Sequence, residues 1–324
     1  MMRRRAFVSG LALVTLNPWA AGAQSSRSAR LGVLLFSDPT SDPNIRAFRE
    51  GLRELGWIEA QNLSIEYRYA EGRLERLPEL SAELVRAHPT VMFVIGTDIA
   101  PALVAATTTI PIVMLVSGDP VKGKLVSSLR RPGGNVTGFT LLASDLAAKR
   151  LQLLKEAASR ITRPAVIWNP EHADDELHET ETAARALGLR VRSVEVPNLG
   201  QLDAALETIP GSGVDSLIAV SSRTTVRGRK SIIAFAARHR LPLVGGWGLW
   251  ADDGALMSYG PDPNVLARRA AGYVDRVLRG ARVGELPVEQ PTKFDLVVNL
   301  GTARSLGLAV PPSLLAQADR VIGA

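Results

Sequence analysis

The sequence predicts an α/β protein of two doubly wound, Rossmann-like lobes joined by a hinge. Apolar β-type runs alternate with amphipathic helical stretches along most of its 324 residues, the signature of βαβ units and parallel sheets. The alternation pauses at the turn-rich segment Arg131-Pro-Gly-Gly-Asn-Val-Thr-Gly138 and then resumes. Two runs of similar size, about 300 residues once a leader is set aside, suffice for two separate cores.

The first run opens with Arg30–Phe36, a continuous apolar strand, followed by a helix over Pro43–Gly56. Asn62–Tyr69 alternates apolar and polar residues, as a half-buried strand does. Leu74–Ala87 is helical, with Leu77, Leu80, Leu84 and Val85 on one stripe. Strand Thr90–Ile95, helix Ile99–Ala106 and strand Ile110–Val116 complete the run. The second comprises helix Asp145–Ser159, strand Ala165–Trp168, helix Glu176–Leu187, strand Arg190–Glu195 and helix Leu202–Ile209. Strand Asp215–Val220, helix Arg227–His239 and strand Leu243–Gly245 follow. After Ser258 come a helix over Val265–Arg279, a Pro-bounded extended stretch, strand Phe294–Leu300 and a short helical tail, which recross between the lobes. The expected division is 30–139 plus 258–288 for the first lobe and 140–257 plus 289–324 for the second.

The N-terminus has the form of a leader. Arg3, Arg4 and Arg5 precede the apolar run Ala6–Leu16, and Ala21-Gly22-Ala23 stands before Gln24. A basic start, a short apolar centre and small residues at the A-x-A positions read as a secretory signal peptide over 1–23, cleaved after Ala23. The run has no polar face and falls short of the ~20 residues that cross a bilayer as a helix. Arg4-Arg5-Ala6-Phe7-Val8 also fits the twin-arginine form, which basic general secretory signals can reach by chance. No later stretch is apolar for long enough to span a membrane. A freely diffusing, monomeric periplasmic protein is expected, without stable membrane insertion.

Losing the leader removes three arginines and no acid, so the formal net charge falls from +6 to +3. The remaining basic residues are interspersed with acids, as in Arg46-Ala-Phe-Arg-Glu50. That is a solvated helix face, not a nucleic-acid footprint. The chain has no Cys, which excludes disulfides, thiol catalysis, Cys-based metal sites and a lipid-modified N-terminal Cys.

Ligands of parallel α/β sheets sit at the carboxyl ends of strands. Those positions hold Ser37-Asp38-Pro39-Thr40, Gly96-Thr97-Asp98 and Ser117-Gly118-Asp119-Pro120 in the first lobe. In the second they hold Asn169-Pro170, Ser221-Ser222-Arg223 and Gly246-Trp247. Such residues also cap helices whether or not a ligand exists, so weight falls on the two edges sharing a cleft. Aromatics make up only 5% of the chain, which makes Trp247, after Gly245-Gly246 at a strand end, a candidate cleft wall. Phe36 and Trp250 read as core. There is no G-x-G-x-x-G after a strand, no G-x-x-x-x-G-K-[ST], no G-x-S-x-G and no H-E-x-x-H. His88 and His239 sit at helix ends. The acids of His172-Ala-Asp-Asp-Glu-Leu-His178-Glu read as a helix first turn rather than metal ligands. Asp252-Asp253 beside Gly254 reads as a turn. Neither a metal nor a cofactor is expected.

Along nearly its whole mature length the chain resembles the substrate-binding proteins of ABC transporters that include tryptophan- and tyrosine-type binders. The residues that carry the resemblance are Phe48-Arg-Glu-Gly-Leu-Arg-Glu-Leu-Gly56, Arg76-Leu-Pro-Glu-Leu80, Gly118-Asp-Pro-Val121 with Arg131–Gly138, and Lys149-Arg-Leu-Gln-Leu-Leu-Lys155. Met257-Ser-Tyr-Gly260, running into Leu286-Pro-Val-Glu-Gln-Pro-Thr-Lys-Phe-Asp-Leu-Val-Val-Asn299, completes the set. The resemblance implies the type I periplasmic binding fold and capture of a small polar or amino-acid-like solute between lobes that close about a hinge. Delivery to a membrane permease follows, with no bond made or broken. It places Thr97, Asp119, Asn169 and Ser222 on ligand-facing loops and Tyr259 near a crossover. An amino acid would rest its carboxylate near Thr97 and Ser117 and its ammonium on Asp119. Asp252-Asp253-Gly254-Ala255 departs from the Ala-Gly-Gly that relatives often carry, and the Ser221-Ser222 loop lacks their Asp. The alternatives are a ligand sensor for a membrane receptor and, behind it, a periplasmic α/β enzyme. If 1–23 is the leader, N-terminal sequencing of the exported protein reads from Gln24. An exported chain still starting at Met1 excludes cleavage.

Overall fold

The structure, a computed structural model, describes residues 29–38, 42–172 and 174–323; the expected leader, Pro39 and Thr40 lie outside them. The first lobe is built from β1 (Ala29–Leu35), α1 (Pro43–Glu54), β2 (Leu63–Tyr69), α2 (Leu77–Arg86), β3 (Val91–Ile95), α3 (Ala100–Ala106), β4 (Ile112–Val116) and β5 (Val136–Thr140). Its sheet has the order β2-β1-β3-β4-β5, parallel throughout. Every residue of β3 and β4 is buried. Helices cover both faces, which is why these strands are unbroken apolar runs rather than alternating ones. The expected start of α2 at Leu74 is instead a 3-10 turn over Leu74–Arg76. Pro78 in the first turn of α2 shows where the helix proper begins.

The second lobe contains α4 (Ala147–Ala157), β6 (Pro164–Trp168), α5 (Glu176–Ala186), β7 (Arg192–Glu195), α6 (Leu202–Leu206), β8 (Ser216–Ala219), α7 (Arg223–Arg238) and β9 (Leu243–Gly245). It continues with α8 (Gly248–Asp252) and β10 (Met257–Gly260). The chain then returns to the first lobe as α9 (Pro263–Leu278). It ends in the second lobe with β11 (Asp295–Asn299), α10 (Leu300–Leu306), α11 (Pro312–Gln317) and β12 (Arg320–Ile322). The second sheet has the order β12-β11-β10-β9-β8-β6-β7, with β10 and β11 antiparallel and the other pairs parallel.

Two features of the expected division differ in the structure. Ser258, Tyr259 and Gly260, assigned from sequence to the first lobe, pair as β10 with β9 and β11 of the second sheet. Thr140, assigned to the second lobe, is the last residue of β5 in the first. The turn formers Arg131–Gly138 masked β5, whose Val136–Gly138 they contain. The long helix α9 packs on α1, where Arg268 bonds Glu50 at 2.6 Å and also reaches Glu54. Tyr273 lies against Phe139, ring centroids 4.9 Å apart. Leu286–Glu289 then runs beside β5, with Glu289 donating to Gly138 and Thr140 donating to Glu289.

Each sheet has an apolar layer on both faces. Phe48 of α1 stacks on Phe93 of β3 at 3.9 Å. Phe36 and Trp250 lie in the core as expected. Gly138, at φ +142°, passes so close to β4 that a Cβ there would stand 1.9 Å from the Met114 carbonyl oxygen. A side chain at that point adds backbone strain to a clash with backbone. Gly138→Ala is therefore expected to cost about 3 kcal/mol or more, read as a lowered urea midpoint; an unchanged midpoint contradicts the packing described.

Candidate functional site

The strand order reverses between β1 and β3 in the first sheet and between β6 and β8 in the second. Doubly wound sheets bind ligands outside the carboxyl ends of strands at such points. The two edges face each other here, and they touch. His172, from the loop after β6, bonds Asp98 of the first lobe through Nδ1 and its neighbour Asp174 through Nε2 at 2.6 Å. Ser117 Oγ, at the end of β4, lies 3.2 Å from Nε2 and 3.4 Å from Asp174 Oδ2.

A neutral imidazole has one N–H, so two carboxylates on its two nitrogens require both to be protonated. Burial opposes the charge on His172, but Asp98 and Asp174 outweigh it and hold the pKa well above 6.5. Asp174 shows the converse. Burial pushes it up, yet the His172 charge and hydrogen bond bring it below the ordinary aspartate value. Behind this pair, fully buried Arg150 donates from Nη1 to Glu176 and to the Ala143 carbonyl at 3.1 Å, and from Nε to the Tyr259 carbonyl at 2.9 Å. Glu176, first residue of α5, accepts the Ser221 N–H at 2.9 Å. Burial pushes Glu176 up to about 7 against the pull of Arg150.

Around the rim, Arg223 of α7 reaches Asp42 at 3.2 Å, Arg227 donates to Ser37 at 2.5 Å and Lys122 pairs with Asp175 at 3.0 Å. Between the lobes remains a cavity of about 10 Å³, lined by Thr97, Ser117, His172, Ser221, Arg223 and Trp247. That is room for about one water. Of its lining, Ser221 Oγ and Trp247 Nε1 are buried without a partner among the described residues, as are Asp98 Oδ2, on the residue that bonds His172, and Arg150 Nη2, beside Gly246. Each such group costs about 1–3 kcal/mol while it stays unpaired. A larger groove of about 490 Å³ between α1 and β2 lies on the outer face of the first lobe, away from both reversal points. The unpartnered groups and the topology both select the cleft.

The sequence profile of proteins described as ABC transporter substrate binding protein matches residues 32–322. The chain belongs to this family. A tyrosine-binding protein of Clostridioides difficile (strain R20291) is 25% identical over 291 residues, which are 88% of this chain and 82% of that one. A conserved domain protein from Vibrio cholerae O1 biovar El Tor str. N16961 superposes with a TM-score of 0.85 at 29% identity, covering 91% of this chain and 99% of that one. The ABC domain in complex with L-Trp from Streptococcus pneumonia gives 0.84 at 25% identity, covering 91% and 100%.

In this substrate-binding protein the residues singled out from sequence divide into two groups. Thr97, Ser117, Ser221 and Trp247 line the cavity, and Asp98 bonds His172 of its wall. Thr97 Oγ1 is occupied by the Ser117 hydroxyl at 2.8 Å and the Ser117 N–H at 2.9 Å. Ser37 holds the rim. The others serve the fold. Asp119 is exposed and accepts the Val121 N–H at 2.7 Å, Asn169 bonds Thr224 at 2.9 Å, and Ser222 caps α7. Tyr259 offers the cleft only its carbonyl, while its ring faces Phe294 at 6.2 Å. Asp38 is exposed. Sequence reasoning missed Arg150, and it read His172, Asp174 and Glu176 only as a helix first turn. A signal existed for some: His172, Asp174 and Glu176 alternate, which suits a loop turning into a helix better than one helix face.

Two raised pKa values set the pH dependence. The His172 contribution to stability is complete below about pH 6.5, its unfolded value, and is lost as pH rises through the higher folded value. Glu176 acts in the same sense, its contribution fading as pH rises through about 7. Melting temperature should therefore fall from pH 6 to pH 9, and His172→Gln should flatten that slope while lowering stability by about 3 kcal/mol. A wild-type profile that rises over this range refutes the charged imidazole.

Proposed function

We propose that the chain is the extracytoplasmic solute-binding component of an ABC transporter, holding a small polar or amino-acid-like solute between its lobes and presenting it to the membrane permease. The observation that carries this is the meeting of the strand-end loops of both lobes at the reversal points of their sheets, where Thr97 and Ser117 of the first lobe and His172 and Ser221 of the second line one interlobe cavity. A solute bonded to both edges selects the closed arrangement, because only there do both lobes reach it. The tyrosine-binding relative and the L-Trp complex support the amino-acid part of the reading. Asp98 replaces Asp119 as the acceptor for a solute ammonium, since Asp119 faces solvent and caps a turn. Export with the leader removed after Ala23, a periplasmic location and a monomeric state belong to the same proposal. So does the absence of catalysis, and the two lobes are taken as 29–140 plus 261–289 and 141–260 plus 290–324. No helix among the described residues is long and apolar enough to cross a membrane.

The test is a thermal-shift screen of the chain from Gln24 onward against amino acids, aromatic acids, small carboxylates and polyols. A solute at 100 times its Kd should add about 2.7 kcal/mol of stability, and mass spectrometry should recover it unchanged. Chemical conversion of the solute would point to an enzyme instead.

A further inference from the structure

We propose that the groove between α1 and β2 is a second binding site, which takes an amphipathic organic anion. The apolar body of that ligand rests against Leu52, Trp57, Ile58, Leu63 and Ile65, and its carboxylate or phosphate bonds Arg46 and Arg53. The groove measures about 490 Å³ and shares no lining residue with the interlobe cavity, so it is independent of solute capture. Small-ligand sites occupy about 300–1,000 Å³, with mostly apolar walls and a few placed polar groups. The first observation is apolar surface left in water. Leu55 and Ile58 are each 40% exposed, two of the six large hydrophobic residues so exposed among the described residues. They flank half-buried Trp57 at the end of α1. A cluster of this kind marks a surface that something covers.

The second observation is the charge along the groove. Arg46, Arg49 and Arg53 stand at i, i+3 and i+7, so α1 presents all three on one face. The acids of the groove are already engaged. Glu50 accepts from Arg268 of α9 at 2.6 Å, and Glu59 accepts from Arg49 at 2.7 Å. The guanidinium groups of Arg46 and Arg53 have neither hydrogen bond nor ion pair among the described residues. Seven residues of helix set these two cations about 10 Å apart along the axis. A planar guanidinium makes paired hydrogen bonds to a carboxylate or phosphate, which a neutral amide or alcohol does not match. The third observation is that the wall is already set. Trp57 Nε1 donates to Asp275 of α9 at 2.8 Å, and the Arg279 guanidinium lies 6.0 Å from the indole centroid. Asn62 pins the turn that follows, accepting the Ile58 N–H at 2.7 Å and donating to the Gly56 carbonyl at 2.8 Å. The cost of ordering this segment therefore does not fall on the ligand.

A free organic acid and the head of an anionic lipid both supply this chemistry, and the experiment separates the two sources. Titration calorimetry on the exported protein uses octanoate and octyl phosphate, with octanamide and octanol as neutral counterparts. Co-sedimentation uses vesicles of phosphatidylglycerol, with phosphatidylcholine as the zwitterionic counterpart. At least one anionic probe should bind about tenfold or more tightly than its counterpart. The double variant Arg46→Gln/Arg53→Gln should lose that preference at unchanged melting temperature, because neither guanidinium holds a contact of the fold. Ile58→Ser should weaken the same probe by removing part of the apolar wall. Binding of a free anion assigns the groove to a small acid, and binding of phosphatidylglycerol vesicles alone assigns it to a lipid. Neutral probes binding as tightly, undiminished binding in the double variant, or an equal loss in Arg238→Gln on the second lobe overturns the site. So does the absence of binding to every probe and vesicle. Solute capture between the lobes stands or falls separately, on its own screen.

Discussion

A protonated imidazole clamped between two buried carboxylates is the contact on which the interlobe arrangement depends. His172 brings its own acid, Asp174, from the second lobe and takes the other, Asp98, from the first. Desolvating three charged groups is costly, and the cost is offset only if each charge keeps its partners. Local details meet that condition. Asp174 fits against the first lobe because residue 118 is Gly; a Cβ there would lie 2.6 Å from the Asp174 Cβ. Thr97 and Ser117 hold the two loops of the first lobe in register, hydroxyl to hydroxyl and hydroxyl to N–H.

The crossovers limit how the lobes can part. The chain passes between them after β5, after β10 and after Glu289, so motion is confined to bending at three adjacent segments. At the second crossover Gly260 packs so tightly that a Cβ would meet the Gly246 carbonyl oxygen at 2.0 Å. Trp247 begins α8 of the second lobe, yet it packs into the apolar layer that holds Phe48 and Phe93 of the first. Opening therefore has to slide this indole along that layer, so Trp247 reports on hinge position.

The alternation of apolar runs and amphipathic helices made the architecture legible in the sequence, because helices covering both faces of each parallel sheet leave strands such as Val91–Ile95 wholly apolar. β5 was hidden because its Gly138 is required by the approach of β4, a tertiary demand that looks locally like a turn. At the site, strand-end positions such as Thr97, Ser117 and Ser221 were legible from topology alone. Arg150 was not, since it sits within helix α4, where an arginine ordinarily faces solvent. Its burial follows from Glu176 and two carbonyls distant in sequence. Asp119 illustrates the opposite error. A carboxylate at a strand end satisfies a turn before it satisfies a ligand, and only its exposure tells the two apart.

The same ion pairs that close the cleft set what a solute can achieve. A ligand shifts an equilibrium only by its differential affinity for the two states. The rim pairs Arg223–Asp42 and Lys122–Asp175 join the lobes at their edges, and pairs so close to solvent are weak and salt-screened. They narrow the gap between open and closed without reporting on the cargo. The discriminating term has to come from groups that closure buries and leaves unsatisfied. Asp98 Oδ2, Arg150 Nη2, Ser221 Oγ and Trp247 Nε1 are such groups. The closed cavity has room for about one water, so a solute larger than that holds the lobes further apart, and what it gains depends on the groups it reaches at that separation.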